Sequence, residues 1–196
     1  MLNMAVHPEI YYLPQTRFVP NNRLPVLIYR NVLPQPHTEL SAQNMLEKNH
    51  WTKKGTWGAV PRHHFHPNTH ECYGKTTDQP IVNMRLISVA VFQGHSTLLI
   101  GRGPLDNDEE PSVLTELKPG DVIILPAGVA HCSIDNDTDY RYIGLYPEGS
   151  PKYKNEYCKD MDRVTELTEE VSKVQLPISD PVIGKDGPLM QIWGAI

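Results

Sequence analysis

Five of the nine histidines in this 196-residue chain stand in two short segments, and their spacing is the most informative feature of the sequence. The first segment runs Gly58-Ala-Val-Pro-Arg-His63-His64-Phe65-His66-Pro67-Asn-Thr-His70-Glu71. If it is extended, His64 and His66 fall on one face, about 7 Å apart along the strand, a separation that two imidazoles can bridge to share one ion. Pro67 then ends regular pairing, and a turn can carry Glu71 back as an anionic oxygen ligand. In the second segment, Gly120-Asp-Val-Ile-Ile-Leu-Pro126-Ala-Gly128-Val-Ala-His131, an apolar strand runs into a Pro-x-Gly turn and a third histidine follows on the returning strand. Three imidazoles and a carboxylate make a borderline donor set, suited to divalent Fe, Mn, Ni, Cu or Zn and poorly suited to Mg or Ca. An octahedral ion in such a set keeps two positions for water, dioxygen or a chelating substrate, so it would act as a Lewis acid or an oxygen-activating centre.

Neighbouring residues are assigned plainer work. By alternation His63 and His70 point off the ligand face or sit in the turn, where they can hydrogen-bond to ligands. His7, His37, His50 and His95 are read as surface or structural groups. Gly120, Pro126 and Gly128 supply backbone geometry. Cys132 follows His131 and therefore faces the opposite way, as a buried thiol. Trp51, Trp57 and Trp193 are assigned to core or seam positions.

The elements that must position these residues are short. Eighteen prolines and 13 glycines argue against a helix bundle or coiled coil. From Gly58 onward the chain carries apolar runs bounded by Gly, Pro and Asp: Val91-Phe92, Ser96 to Ile100, Val113 to Leu117, Val122 to Leu125, His131 to Ile134 and Tyr140 to Tyr146. Closely spaced strands of this kind predict an all-β sandwich or barrel in a single domain. Residues 1–57 are read as an N-terminal arm and helix, with a strand at Pro25 to Tyr29 and a helix over Ser41 to His50. Residues 58–149 form the core. Residues 150–196 hold a helix marked by Val164, Leu167, Val171 and Val174, then a Pro/Gly-punctuated tail that wraps the core and ends on Trp193.

With 18 basic against 23 acidic side chains the formal net charge is −5, so no basic footprint for nucleic acid or anionic lipid is present. No stretch approaches the ~18 consecutive apolar residues of a membrane helix, and the first residues lack a basic segment followed by an apolar one. Cys72, Cys132 and Cys158 are odd in number and form no CxxC. A reducing, cytoplasmic setting is the expectation.

The two segments resemble the paired motifs of the cupins. Gly58-x5-His64-x-His66-x4-Glu71 matches the first motif and Gly120-x5-Pro126-x-Gly128-x2-His131 the second. That resemblance implies a small jelly-roll β-barrel whose metal ligands are His64, His66, Glu71 and His131. It also implies homodimers, which cupins often form by strand exchange. The flanking text, with Pro25-Val-Leu-Ile-Tyr-Arg30, Tyr146-Pro147 and Asp180-Pro-Val-Ile-Gly-Lys-Asp-Gly-Pro-Leu189, looks like the small YjlB-like cupins of bacteria and fungi over most of the chain. The second motif departs from the family in one place, where Asp135 replaces an asparagine that is not a ligand.

A larger departure follows Glu71, where the family pattern expects a glycine after six further residues and this chain has Asp78. Deleting Lys75 to Ala90 (KTTDQPIVNMRLISVA) joins Glu71-Cys-Tyr-Gly74 to Val91-Phe-Gln-Gly94 and restores that spacing. The stretch is therefore read as an insertion of the size of a small translated fungal intron, with a surface loop as the alternative.

Two functions compete on this reading. The first is a mononuclear metal-dependent oxygenase, or an isomerase or lyase, acting on a small polar organic molecule with Fe(II), Mn(II), Ni(II) or Zn(II). The second is a non-catalytic barrel that binds a sugar or organic acid. Fold and ligands alone do not choose between them.

Overall fold

The computed structural model describes residues 6–70 and 89–196. The chain runs β1 (Glu9–Leu13), β2 (Asn22–Tyr29), α1 (Glu39–Glu47), β3 (Trp51–Trp57), β4 (Val89–Gln93), β5 (Ser96–Ile100), β6 (Val113–Leu117), β7 (Val122–Ile124), β8 (His131–Asn136), β9 (Arg141–Pro147), α2 (Val164–Ser172) and α3 (Pro188–Gly194). The strands form two antiparallel sheets, one of six in the order β1-β2-β7-β4-β9-β3 and one of three in the order β6-β5-β8. This mostly β architecture with three short helices fits the all-β expectation, and the described ladders stay in two sheets.

Alternation along the strands explains how the larger sheet is covered on both sides. Val26 and Ile28 of β2, Ile123 of β7 and Tyr142 and Tyr146 of β9 face inward, against Leu98, Ile100 and Leu117 of the smaller sheet. Leu27 and Tyr29, Val122 and Ile124, and Ile143 and Leu145 face outward, under Ala42 and Leu46 of α1 and Leu189 and Trp193 of α3. A sheet buried on both faces needs continuous apolar strands, and for that reason Pro25 to Tyr29 carries no polar residue. Arg30 ties the two sheets at one edge. Its guanidinium donates to Glu9 of β1, Asp121 before β7, and the Thr115 hydroxyl and Glu116 carbonyl of β6.

The strands expected at Ser96–Ile100 and Val113–Leu117 have those bounds, and β8 and β9 differ by a residue or two at their ends. Helix α1 begins before Ser41 because Thr38 caps it, the two side chains each accepting the other's backbone N–H. It stops where His50 takes a left-handed φ of 63° and the chain turns into β3. Strand β3 has no hydrophobic alternation to betray it; Lys53 and Lys54 suit an edge strand, which charge protects from further pairing. Segment 58–66 is not a continuous strand. Pro61 interrupts it and Pro67 ends it, and its pairing is reduced to two isolated bridges, His64 to His131 and Phe65 to Glu156.

The wrapping tail is held by specific bonds. Trp193 Nε1–H donates to the Pro25 carbonyl at 3.0 Å and Trp51 Nε1–H to the Ser179 carbonyl at 2.9 Å. The suspected insertion lies outside the described residues except at its end, where Val89 pairs with Ile123 and the buried Ala90 with Val122 and Ile143. Among the described residues no helix is long and apolar enough to cross a membrane.

Candidate metal centre

His64, His66 and His131 come together, each offering a ring nitrogen within 4.8 Å of the others, and all three are buried. Antiparallel backbone bonds align them: His64 N–H donates to the His131 carbonyl at 3.2 Å, and His131 N–H to the His64 carbonyl at 2.9 Å. His66 lies two residues on and shares the face of His64, with ring centroids 5.3 Å apart. On β8, His131 pairs with the inward-facing Ile100 and Ser133 with the inward-facing Leu98, so the imidazole enters the space between the sheets.

The ring orientations are fixed by carbonyl oxygens. Nδ1 of His64 lies 2.8 Å from the Arg62 carbonyl, Nδ1 of His66 2.8 Å from that of Lys154, and Nδ1 of His131 3.1 Å from that of Val129. A carbonyl can only accept, so each Nδ1 carries the proton and each Nε2 keeps its lone pair. The three clustered rings can therefore offer lone pairs to one cation held among them. A carbonyl behind the remote nitrogen also matches how metal-bound imidazoles are commonly held. The residues present therefore fit a divalent transition metal.

Aromatic side chains wall the site. Tyr153 meets His66 edge-on at 4.7 Å and stacks with Tyr146 at 6.3 Å. A void of about 10 Å³ touches His131 between Val60, Leu98, Cys132, Ser133, Tyr140 and Tyr142.

Glu71, the fourth expected ligand, lies outside the described residues. His63 turns from the cluster and donates from Nδ1 to the Arg102 carbonyl at 3.1 Å. His70 is also directed elsewhere: its Nδ1 accepts from the Ala127 N–H at 3.0 Å and its ring lies against Trp193. Burial pushes the His70 pKa down to about 4. Cys132 pairs with Leu99 on the side of the sheet opposite His131, and burial raises its pKa to about 11, which leaves an inert thiol.

Gly120 and Gly128 have the backbone roles read from the sequence. Gly128 sits at φ 81°, where an added Cβ would come within 2.7 Å of the Asn21 carbonyl oxygen. Its N–H donates to the His66 carbonyl at 2.8 Å, which ties the turn before His131 to the first histidine segment. The sequence reading missed the carbonyls of Arg62, Val129 and Lys154. A backbone carbonyl has no residue-type signature, and Lys154 reaches His66 from 88 positions away. Tyr153 lies in a polar stretch with no periodicity, so nothing local marks it.

No family model matches the chain. It is 28% identical over 191 residues to the uncharacterized protein YjlB of Bacillus subtilis (strain 168), a match that covers 97% of this chain and 99% of that protein.

Proposed function

We propose that this protein is a metal-binding cupin with a jelly-roll barrel, in which His64, His66, His131 and Glu71 hold one divalent ion, Fe(II), Mn(II), Ni(II) or Zn(II), and that it is an oxygenase for a small polar organic molecule. The observation that carries the reading is the clustering of three buried imidazoles, each with its Nδ1 proton donated to a carbonyl and each offering a ring nitrogen within 4.8 Å of the others. The near full-length similarity to YjlB supports the narrower grouping. The bound ion would supply Lewis-acid or oxygen-activating chemistry. The chain's own part is to hold the imidazoles in one tautomer and to keep bulk water out with Tyr146, Tyr153 and the inward faces of the sheets. The free, buried Cys132 and Cys158 agree with a cytoplasmic setting.

Metal analysis of protein purified without added metal tests the centre. Wild type is expected to carry close to one ion per chain, and His64→Ala and His131→Ala to lose it; equal content in all three would remove the site. Oxygen consumption by the Fe(II)-loaded protein across a panel of small hydroxy acids and polyols then tests the reaction. The alternative is a non-catalytic barrel that binds a sugar or organic acid. Tight ligand binding without oxygen uptake would select that reading.

A further inference from the structure

We infer that His70 is a positioning residue of the metal centre, a side-chain rung that fixes the turn leading to His131. The inference rests on the metal-binding reading above. Three successive contacts join the 64–70 segment to the 127–131 segment. At the inner end His64 and His131 exchange backbone hydrogen bonds, and next the Gly128 N–H donates to the His66 carbonyl. Beyond His66 the chain turns at Pro67 and its backbone leaves the ladder. The outermost rung is therefore closed by a ring: His70 Nδ1 accepts the Ala127 N–H at 3.0 Å in a buried setting.

The tautomer separates His70 from the ligands. An amide N–H can only donate, so Nδ1 of His70 bears the lone pair and Nε2 the proton, the reverse of His64, His66 and His131. Its Nε2–H is buried and faces the Gln175 carbonyl without closing a hydrogen bond of ordinary geometry. The lone pair that could have served a metal is spent on Ala127.

Both sides of this rung are anchored. The His70 ring packs against Trp193 with centroids 4.8 Å apart, and Trp193 is tied to the Pro25 carbonyl. On the turn side, the Ala127 carbonyl accepts from Asn22 Nδ2 at 2.9 Å. The C-terminal helix is thus connected through one imidazole to the turn that ends at His131. Without that acceptor the Ala127 N–H is stranded where water does not reach, and the turn must shift to satisfy it.

The test is a Co(II) titration of the metal-free protein, read by visible absorption, on wild type, His70→Leu, His70→Asn and His70→Gln, with a thermal melt of each metal-free form. Asparagine can place its oxygen where Nδ1 lies; leucine has no acceptor, and glutamine carries its oxygen one bond too far. His70→Leu and His70→Gln are expected to bind Co(II) about 10- to 100-fold more weakly, the range for loss of an outer partner of a metal site, and with shifted bands. His70→Asn is expected to keep the wild-type spectrum. Should His70→Leu fail to fold, the contrast between His70→Asn and His70→Gln reads the same bond. Wild-type affinity and bands in His70→Leu, or in His70→Gln, would overturn the inference, as would His70→Asn as impaired as His70→Gln. A wild type that binds no Co(II) would instead overturn the metal-centre reading on which the inference stands.

Discussion

Asp180, in the C-terminal segment, and the trio His64, His66 and His131 are both polar and buried, yet they are built in opposite ways. The Asp180 carboxylate accepts from the N–H groups of Val182, Ile183 and Leu189 at 2.7, 3.1 and 3.0 Å and from the Tyr29 hydroxyl. Its acceptors are met by donors from the same fold, so the cluster is closed and its work is structural: it starts α3 and ties it to β2. The histidines use their Nδ1 donors on carbonyls and bring one ring nitrogen each within 4.8 Å of the others. Buried groups that satisfy one another hold a structure together, whereas buried bases clustered this closely could hold a cation.

The largest expected effect lies on the closed side. Asp180→Ala should cost about 3–5 kcal/mol in urea unfolding, because three N–H groups and a hydroxyl lose a charged acceptor in a dry site. The loss should be the same with and without a chelator. A cost below about 1 kcal/mol, the scale of one ordinary hydrogen bond, would break the contrast.

On the receptor side the effect should depend on metal. A metal at 100 times its Kd should stabilise wild type by about 2.7 kcal/mol, and a thermal melt with and without EDTA reads that difference. His131→Ala should lose the metal-dependent increment. A wild-type melt indifferent to EDTA would put the histidines in the same class as Asp180.

The carboxylate expected at residue 71 sharpens the comparison, since an anion would balance the charge of the ion. If Glu71 is the fourth ligand, Glu71→Gln should weaken Zn(II) binding measured by competition with a chelating dye by about 10- to 100-fold, a loss of about 1.4–2.7 kcal/mol. The variant lacking Lys75 to Ala90 should bind at least as tightly as wild type. In that variant Gly74 takes the chain position of Ala90, a buried site between β7 and β9. Weaker binding by the deletion variant would favour a native loop over an insertion.

The smallest effect concerns the Arg30 clamp. Beside Arg30 the Glu9 carboxyl is held below its ordinary range, chiefly by their hydrogen bond. A depressed carboxylate contributes stability above the usual carboxylate range and loses it as pH falls through the lowered value. Arg30→Ala should cost about 1–2 kcal/mol at neutral pH, a modest figure because the Glu9 contact is largely solvated and most of the loss falls on buried Asp121. The gap between variant and wild type should narrow in acid, as urea melts at neutral and low pH would show.

Much of this was legible in the sequence because it depends on near neighbours. The His64-x-His66 spacing fixes a shared face, the step from His131 to Cys132 puts the thiol on the other side, and positive φ at positions 120 and 128 calls for glycine. Runs such as Ser96 to Ile100 name their own strands because a period of two is local. Strands β1 and β3 were missed, since edge strands carry charge and half-exposed residues in place of an apolar run.

What the sequence by itself determined was a β-rich chain with three imidazoles able to reach one point, because residue type and alternation are local properties. Only the tertiary structure decided which histidines converge and in which tautomer. That depends on the carbonyl of Lys154 and the N–H of Ala127, which every residue type possesses and which gain meaning only when distant parts of the chain are brought within 3 Å of a ring nitrogen. His70 shows the difference most directly. It has the same residue type as the ligands and lies four positions from His66, yet an amide from the other segment takes its lone pair and makes it a support for the site.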